Sequence, residues 1–585
     1  MSFYLIDPVD TKKVDKKVSL YESANKFGCD ICSLKNLPNK NPKIEPMGTN
    51  KPIIYILGEY PELEDDSKGK PFTGNNGLLL KDILHKVCSN LGYSNYAEIT
   101  RYNLCIRCGT KDNKKPTQLE VECCKPSLIK DIEETKPLII FGLGSIPLNL
   151  FVKGNSITLW RNRIIPVKVG QHKCWYAPML SPSFVLENQS NYENRFDRAF
   201  EHDLINALNF LSNYVEPVVV DDFDEGVEFV LGNKEEDIDK IESRLSSFIN
   251  DEIVCVDIET EGLKPYKGNR WITNAISNES LNFSYPTDHP KAWNFGSNRK
   301  AVVDKIFSLT KNFLKSSKTK IAHNLKFELE WFYYTFKSKD MLFDNLWEDT
   351  MSQAYIIDER TSKSEKMLSL DRLTQIRFGF NLKEKSPVDS SKLLKYPIDK
   401  VLKYNAMDTK WTRKLFFAQK EVGYNNINYR NLVDTAVTIA ITQNEGVPIN
   451  ISLATEYHKR YGDELEELIV NINKVKEVKQ FIIEKGEFNP LSPYHLSHIF
   501  YKLMKLKAVK FTETGKNSVD DEVLTKLAEK NIKLASYIMK YREVNKLKST
   551  YVDPLIELNI DGIVNSNFNV LYTTSGRLSS GKEVS

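Results

Sequence analysis

A chain of 585 residues is long enough for about three or four domains, each burying its own core. Its 41% hydrophobic and 27% charged residues are those of an ordinary globular protein, and a net charge of +3 leaves any nucleic-acid surface to local patches. There is no secretory signal, and the longest apolar run, Pro137 to Phe151, is interrupted by Gly142, Gly144 and Pro147, so a cytosolic protein without a membrane partner is expected.

Eight of the 9 cysteines lie between Cys29 and Cys174, and the ninth is Cys255. An odd total in a cytosolic chain argues against a disulfide framework. Cys29-x-x-Cys32 can present two thiolates to one metal centre, with Cys105, Cys108, Cys123 and Cys124 as further donors. Zinc, iron–sulfur and a set of buried free thiols all remain open at this point. The run Ile53–Leu57 reads as a strand, followed by Gly58-Glu-Tyr-Pro61, the loop Lys70-Pro-Phe-Thr-Gly-Asn-Asn-Gly77 and a helix over Leu78–Val87. A strand feeding a Gly-rich loop before a helix brings backbone N–H groups close to an anionic ligand. Pro137–Gly142 repeats the strand-then-Gly form, and the organisation is α/β.

These residues carry a resemblance. Gly58-Glu59-x-Pro61, Glu64-Asp65, Gly69-x-Pro71-Phe72-x-Gly74 and Gly77 are similar to the signature of family 4 uracil-DNA glycosylases, over roughly residues 20 to 210. That family binds a [4Fe-4S] cluster through a CxxC and two later cysteines. Cys108 ahead of Asp112-Asn-Lys-Lys-Pro-Thr117, and Cys124-Lys-Pro-Ser-Leu128, resemble its ligand segments. The resemblance implies Cys29, Cys32, Cys108 and Cys124 as ligands and demotes Cys105 and Cys123. It also implies a base-binding pocket outlined by Glu59 and Phe72, with Asn103 as the uracil-reading amide and Ser181 in the family's His-Pro-Ser loop. This sequence departs there: Ser181-Pro-Ser183 lacks the His, Asn103 is out of register by one position, and Glu62 replaces a Gly. Binding or structural use is therefore expected in place of excision.

Tyr214 to Gly226 is acidic, without clear periodicity, and reads as a linker. Gly226–Leu231 reads as a strand, Asn233-x-x-Glu236 as a capping box, and Ile238, Ile241, Leu245 and Phe248 as a helix face. The run Ile253-Val-Cys-Val256 then reads as a strand buried on both faces, and it ends in Asp257 and Glu259. At i and i+2 both carboxylates leave one face, and they repel each other unless a cation lies between them. Mg²⁺ suits such hard oxygen donors. Ala322-His-Asn-Leu-Lys-Phe-Glu328 opens an apolar helical stretch, and Tyr404 and Asp408 share one face of a later helix. Standing alone, that last pair reads as a surface Asp above a half-buried Tyr.

Together, Asp257-x-Glu259, His323-Asn324-x-x-Phe327-Glu328 and Tyr404-x-x-x-Asp408, with Glu348-Asp-Thr-Met351 between, resemble the three motifs of DEDD-type 3′–5′ exonucleases. The specific likeness is to the proofreading domain of family A DNA polymerases, a ribonuclease H-like fold. It implies two Mg²⁺ or Mn²⁺ ions held by Asp257, Glu259 and Asp408 with Glu328 contributing, Tyr404 orienting a water, and Asn324 near a single-stranded DNA 3′ end. Glu328 stands where the family has Asp, which moves the charge by about a bond length.

Beyond Thr409 the pattern is helical. Glu445-Gly-Val-Pro-Ile449, Phe488-Asn-Pro-Leu-Ser-Pro493, Thr512-Glu-Thr-Gly515, Tyr541-Arg-x-x-x-Lys-Leu-x-Ser-Thr-Tyr551 and Thr574-Ser-Gly-Arg-Leu-Ser-Ser580 resemble, in order, the opening of a family A polymerase domain. This implies a thumb that grips primer–template duplex through its phosphates, with Arg542, Lys546, Thr550 and Arg577 on DNA. The family's palm aspartates and fingers helix follow the last motif. The chain alone is therefore expected not to polymerise DNA; a second polypeptide carrying the remainder, an interrupted gene, a natural stop and a fragment all remain open. The arrangement resembles polymerases of large phages of Gram-positive bacteria, which would place the protein in the cytoplasm of a bacterial host. The expected architecture is α/β and multidomain: a glycosylase-like domain (1–213), a linker (214–225), an exonuclease domain (226–424) and a mostly helical thumb and partial palm (425–585). Two other readings compete: a DNA-binding and assembly module whose exonuclease is disabled by Glu328, and a uracil-repair enzyme with an attached nuclease.

Overall fold

Strands in a parallel sheet covered by helices on both faces are buried along their whole length. Ile54–Gly58 and Ile139–Leu143 meet that condition at every position. In the computed structural model they pair in parallel, within a six-stranded sheet ordered 47–48, 100–104, 54–58, 139–143, 172–179, 165–169. The structure describes residues 20–581 apart from 94, 189–194, 221–222, 296–297, 317, 363, 513–514 and 574. The first 19 positions of the glycosylase-like segment, Asp221 and Asp222 of the linker, Glu513, Thr514 and Thr574 of the last motifs, and 582–585 lie outside the described residues. Helices Asn75–Asn90 and Phe196–Ser212 cover one face of this sheet, and Gln118–Thr135 packs on the other.

A second six-stranded sheet is ordered 347–349, 319–322, 253–260, 271–277, 282–286, 227–229. Ile253–Thr260 is an interior strand, parallel to Thr319–Ala322 and antiparallel to Trp271–Ser277, which accounts for its apolar run. Its pairing becomes irregular between Glu259 and Thr260, just where the carboxylates have been delivered. Helix Glu236–Phe248 buries Ile238, Ile241, Leu245 and Phe248, as the spacing predicts. Its start differs from expectation: Glu235 is the N-cap, and the Asn233 N–H donates to Asp237 (3.1 Å), so no Asn233–Glu236 capping box forms. Helix Ile398–Val422 lies across the sheet face and packs on the strands at 227–229, 253–260, 271–277 and 282–286.

Helix Asn426–Glu445, assigned from sequence to the last segment, puts Tyr429, Val433, Val437, Ala440 and Ile441 into the same core as Val254 and Phe332. Beyond it, helices Ile451–Asn473, Lys476–Lys485, Asp521–Glu529 and Lys533–Lys546 surround a separate core that includes Ile472, Phe481, Phe500, Leu524 and Ile538. The chain then returns to Val447–Pro448 through a small sheet with 559–560 and 563–564. No helix among the described residues is long and apolar enough to cross a membrane.

The described residues of the 214–225 stretch form no strand or helix, but the stretch is pinned near both ends. Trp175 Nε1 donates to the Val215 carbonyl (2.8 Å), and Trp411 Nε1 donates to that of Phe223 (2.9 Å). A second tie joins the two α/β units. Glu365, 2% exposed, accepts from the backbone N–H groups of Asn155 (2.6 Å) and Ser156 (3.0 Å) and from Trp160 Nε1 (3.3 Å). Met367 and Ile376 beside it enter the core of the first unit. Glu365→Ala strands one buried and two part-buried donors, so it should destabilise the chain by roughly 2 kcal/mol, whereas Glu365→Gln should cost less. Urea unfolding followed by tryptophan fluorescence checks the order.

Candidate functional site

The buried strand Ile253–Thr260 and the crossing helix Ile398–Val422 together build the acidic centre. Strand alternation places Asp257 and Glu259 on one face, and the helix brings Asp408 to meet them. One carboxylate oxygen from each of the three lies within 4.8 Å of the others. Glu328, buried in the first turn of helix Leu325–Phe336, lies close enough to feel Asp257 and Glu259. Burial pushes the Asp257 carboxyl up to about 7 against the pull of its Asn405 hydrogen bond. Burial, followed by the charge of Asp257, holds Glu259, Glu328 and Asp408 well above the usual carboxylate range. Tyr404 is hydrogen-bonded to Asp408, and its phenol is raised chiefly by burial. Asp408 Oδ1 and Glu328 Oε2 are buried without a hydrogen-bond partner. Hard oxygen donors, mutual repulsion and orphaned acceptors are what a divalent cation satisfies. The three residues therefore fit the metal that the sequence implies, and Glu328 adds a fourth negative group.

Two supports escaped sequence reasoning as functional groups, although both lie inside quoted motifs. Asn405 Nδ2 donates to Asp257 Oδ2 (2.5 Å), and its Oδ1 accepts from Thr273 Oγ1 (2.9 Å). The amide thus ties Asp257 to the neighbouring strand. Asp349 caps its own helix, accepting from Met351 N (3.0 Å) and Ser352 N (3.2 Å). It also accepts from Asn324 N (2.9 Å) and Leu325 N (3.4 Å), at the start of the helix that carries Glu328. Asn324 is exposed with φ +65°, a left-handed turn that Asn tolerates better than most residues. His323 Nδ1 meets Thr350 Oγ1 (2.9 Å), and burial pushes its ring down to about 4, so it is neutral. The sequence signal for Asp349 was an N-cap residue just before an apolar run; for Asn405 there was none beyond its place in the motif.

In the first unit, Cys29, Cys32, Cys108 and Cys124 converge: Cys124 feels the charges of the other three, and Cys108 those of Cys29 and Cys32. The Lys43 N–H donates to Cys108 Sγ (3.3 Å) and the Arg107 backbone to Cys124, contacts that favour thiolates. Burial pushes Cys124 up to about 12. The donors fit a thiolate-ligated group. Cys123 also reaches this cluster by a hydrogen bond with Cys32, while Cys105 lies between Glu59 and Cys124.

Of the residues of the expected base pocket, Asn103 and Phe72 lie on opposite faces of the sheet. Glu59 Oε1 accepts from Ser145 N (2.9 Å), Ser145 Oγ (3.0 Å) and Ile146 N (3.0 Å), capping helix Ser145–Val152. Ser181 caps helix Pro182–Glu187 through Phe184 N (3.3 Å). Phe72 packs edge-on against Tyr102 (5.8 Å) and Leu104 on one face of the sheet. Asn103 points to the other face, where its Nδ2 donates to Tyr55 Oη (2.7 Å). The correction to the pocket is thus a matter of parity: Leu104, not Asn103, shares the Phe72 face. A Cβ on Gly58 would lie 2.7 Å from Phe72 and 2.8 Å from Leu104, so these side chains fill that corner.

On the helical part, Lys546, Thr550 and Arg577 are exposed. Thr550 sits in the π-helical stretch Leu547–Val552, and Arg577 in the loop before Ser579–Ser580. Arg542 is already engaged, donating to the Val519 carbonyl (3.2 Å) and Asp521 (3.1 Å).

Comparison with known proteins gives three separate matches along the chain. Residues 46–205 match the uracil DNA glycosylase superfamily, 233–420 a 3′–5′ exonuclease family, and 455–583 DNA polymerase family A. A DNA polymerase of Bacillus phage SP01 is 25% identical over 94% of this chain and 64% of its own length. A DNA polymerase of Escherichia phage T5 is 30% identical over 47% of this chain and 34% of its own. A type-4 uracil-DNA glycosylase of Thermotoga maritima is 30% identical over 31% of this chain and 89% of its own. The chain thus spans less than two thirds of the length of either phage polymerase.

Proposed function

From a chain that belongs to the phage-type family A DNA polymerases, and whose first part belongs to the uracil-DNA glycosylase superfamily, we infer a proofreading 3′–5′ exonuclease acting within a replicative polymerase. The observation that carries this reading is the buried carboxylate cluster of Asp257, Glu259 and Asp408, with Glu328 against it. Bound Mg²⁺ or Mn²⁺ would polarise the scissile phosphate, activate water and stabilise the leaving 3′ oxygen. The chain's own part is to hold Asp257 through Asn405, hold the Glu328 helix through Asp349, and keep Tyr404 on Asp408, where its hydroxyl can orient the attacking water. Exposed Asn324 borders the cleft that would receive a single-stranded 3′ end, and Lys546, Thr550 and Arg577 would lie along primer–template phosphates. Residues 20–213, 226–445 and 446–581 would act as the three parts, with the middle one taking in helix Asn426–Glu445. The Glu328 carboxylate is buried beside Asp257, which favours a working nuclease over a disabled assembly module.

For the first part, the cysteine donors support a [4Fe-4S] cluster on Cys29, Cys32, Cys108 and Cys124. The geometry favours DNA or partner binding over uracil excision. Leu104 stands on the Phe72 face where a base-reading amide is needed, and Glu62, pushed up to about 7 by burial and then by Asp65 and Glu64, adds acid nearby.

The full chain should digest a labelled single-stranded 3′ end only with Mg²⁺ or Mn²⁺, and Asp257→Ala should reduce the rate by about 10³-fold or more; a variant as fast as the parent would refute the assignment. Anaerobically purified protein should be brown and hold about four irons per chain; a colourless preparation with stoichiometric zinc contradicts the cluster. Uracil-containing DNA should release no free uracil above a protein-free blank, and release that is lost on Glu59→Ala would show a working pocket.

A further inference from the structure

Helix Leu325–Phe336 presents Glu328 to the acidic centre, and positions two residues away on either side point to the opposite face of the helix. Those positions are Lys326 and Glu330. Glu330 is 1% exposed, Lys264 is 6% exposed, and Lys326 is largely buried. All three meet at one residue or its immediate partners: Gln443, 1% exposed, near the end of helix Asn426–Glu445. Gln443 Nε2 donates to Glu330 Oε1 (2.5 Å), and Gln443 Oε1 accepts from Lys326 Nζ (3.1 Å). The other oxygen of Glu330 accepts from Lys264 Nζ (2.6 Å).

The same amide also holds the returning chain. Gln443 Oε1 accepts from the Phe568 N–H (2.7 Å), and the Gln443 carbonyl accepts from Asn565 Nδ2 (2.6 Å). Lys326 Nζ donates to the Phe568 carbonyl (2.9 Å) and Lys264 Nζ to Asn567 Oδ1 (3.3 Å). Farther along, Leu571 is buried among Ala354, Met407 and Trp411, and Tyr355 Oη donates to the Thr573 carbonyl (2.9 Å). The segment 565–573 is therefore a strap laid over the nuclease, and it leads directly into the loop that carries Arg577.

We propose that Gln443 is a positioning residue of the exonuclease: with the 565–573 strap it clamps the back face of the Glu328 helix and so sets where the Glu328 carboxylate stands. This rests on the exonuclease reading above. The reason is geometric. Asp349 fixes only the first turn of the helix, Glu328 Oε2 has no hydrogen-bond partner, and the carboxylate's bond to its own backbone N–H turns with the helix. The position of its carboxylate is thus inherited from the rotation of the helix about its axis, and the Gln443–Lys326–Glu330 contacts are polar ties that resist that rotation.

The test uses the full chain and exploits the near-symmetry of the Gln443–Glu330 pair. Gln443→Glu removes the amide N–H that Glu330 Oε1 accepts and sets two carboxylates against each other; the double exchange Gln443→Glu with Glu330→Gln restores an amide–carboxylate tie, with the carboxylate now on Lys326 and an amide oxygen on Lys264. Gln443→Glu should lower kcat on single-stranded DNA by about tenfold or more, leave KM within about twofold, and raise the Mn²⁺ concentration for half-maximal rate. The double exchange should recover kcat to within about threefold of the parent. Wild-type kcat in Gln443→Glu would overturn the proposal. So would a loss that falls on KM alone, or a double variant that melts like the parent yet stays slow. A parent chain with no metal-dependent digestion would instead defeat the exonuclease reading, which separates the two failures.

Discussion

Like charges held together out of water dominate this molecule. Two carboxylates about 4.8 Å apart repel by roughly 3 kcal/mol at the effective dielectric of a protein interior, and the centre holds three of them with Glu328 close by. Burial is the largest penalty on all four, and the charge of Asp257 adds to it on Glu259, Glu328 and Asp408, which is why they resist ionisation. Only a proton or a cation relieves such a site, so divalent ions and protons compete for the same oxygens. A scaffold that did not resist this repulsion would let the side chains swing apart into solvent. The Thr273–Asn405–Asp257 relay and the double capping by Asp349 supply that resistance, one on the strand side and one on the helix side.

That resistance reaches well beyond the nuclease fold. Glu365 anchors the chain segment that follows helix Thr350–Ile357 onto the first α/β unit, and three residues later Leu368 enters the core against Met407 and Trp411 of the helix bearing Asp408. From the other side, the 565–573 strap buries Leu571 in that same cluster. The acidic centre is thus braced between the N-terminal unit and the returning C-terminal chain. Hydrogen bonds from Trp175 and Trp411 hold the described ends of the 214–225 stretch against both α/β units.

What was legible from sequence was whatever depends on neighbours in the chain. The apolar run before Asp257 announced an interior strand, and the i, i+2 spacing put both acids on one face. The periodicity of Ile238, Ile241, Leu245 and Phe248 gave their helix. Asn405 and Asp349 were visible as letters but not as parts, because their roles depend on partners 148 and 25 positions away. Gln443 offered no signal at all: an amide near the end of a helix becomes a hub only when the chain returns more than a hundred residues later. The capping box at Asn233 failed for a local reason, since Asp237, one position beyond Glu236, took up the Asn233 N–H instead.

In the first unit, residues that resemble a base pocket are drawn into the packing of the fold. Strand alternation is unforgiving, so a shift of one residue moves a side chain to the opposite face of the sheet. With Leu104 on the Phe72 face, Asn103 falls among Tyr55, Asp131 and Arg101, where its amide is consumed in a buried network. Phe72 cannot drift away in response: it packs on Tyr102, and a Cβ on Gly77 would lie 2.2 Å from the Phe72 backbone, which fixes helix Asn75–Asn90 against it. Glu59 is equally committed, because helix Ser145–Val152 needs its carboxylate as a cap. The residues that resemble a base pocket therefore persist as core, cap and turn. Stability alone is enough to keep their shape.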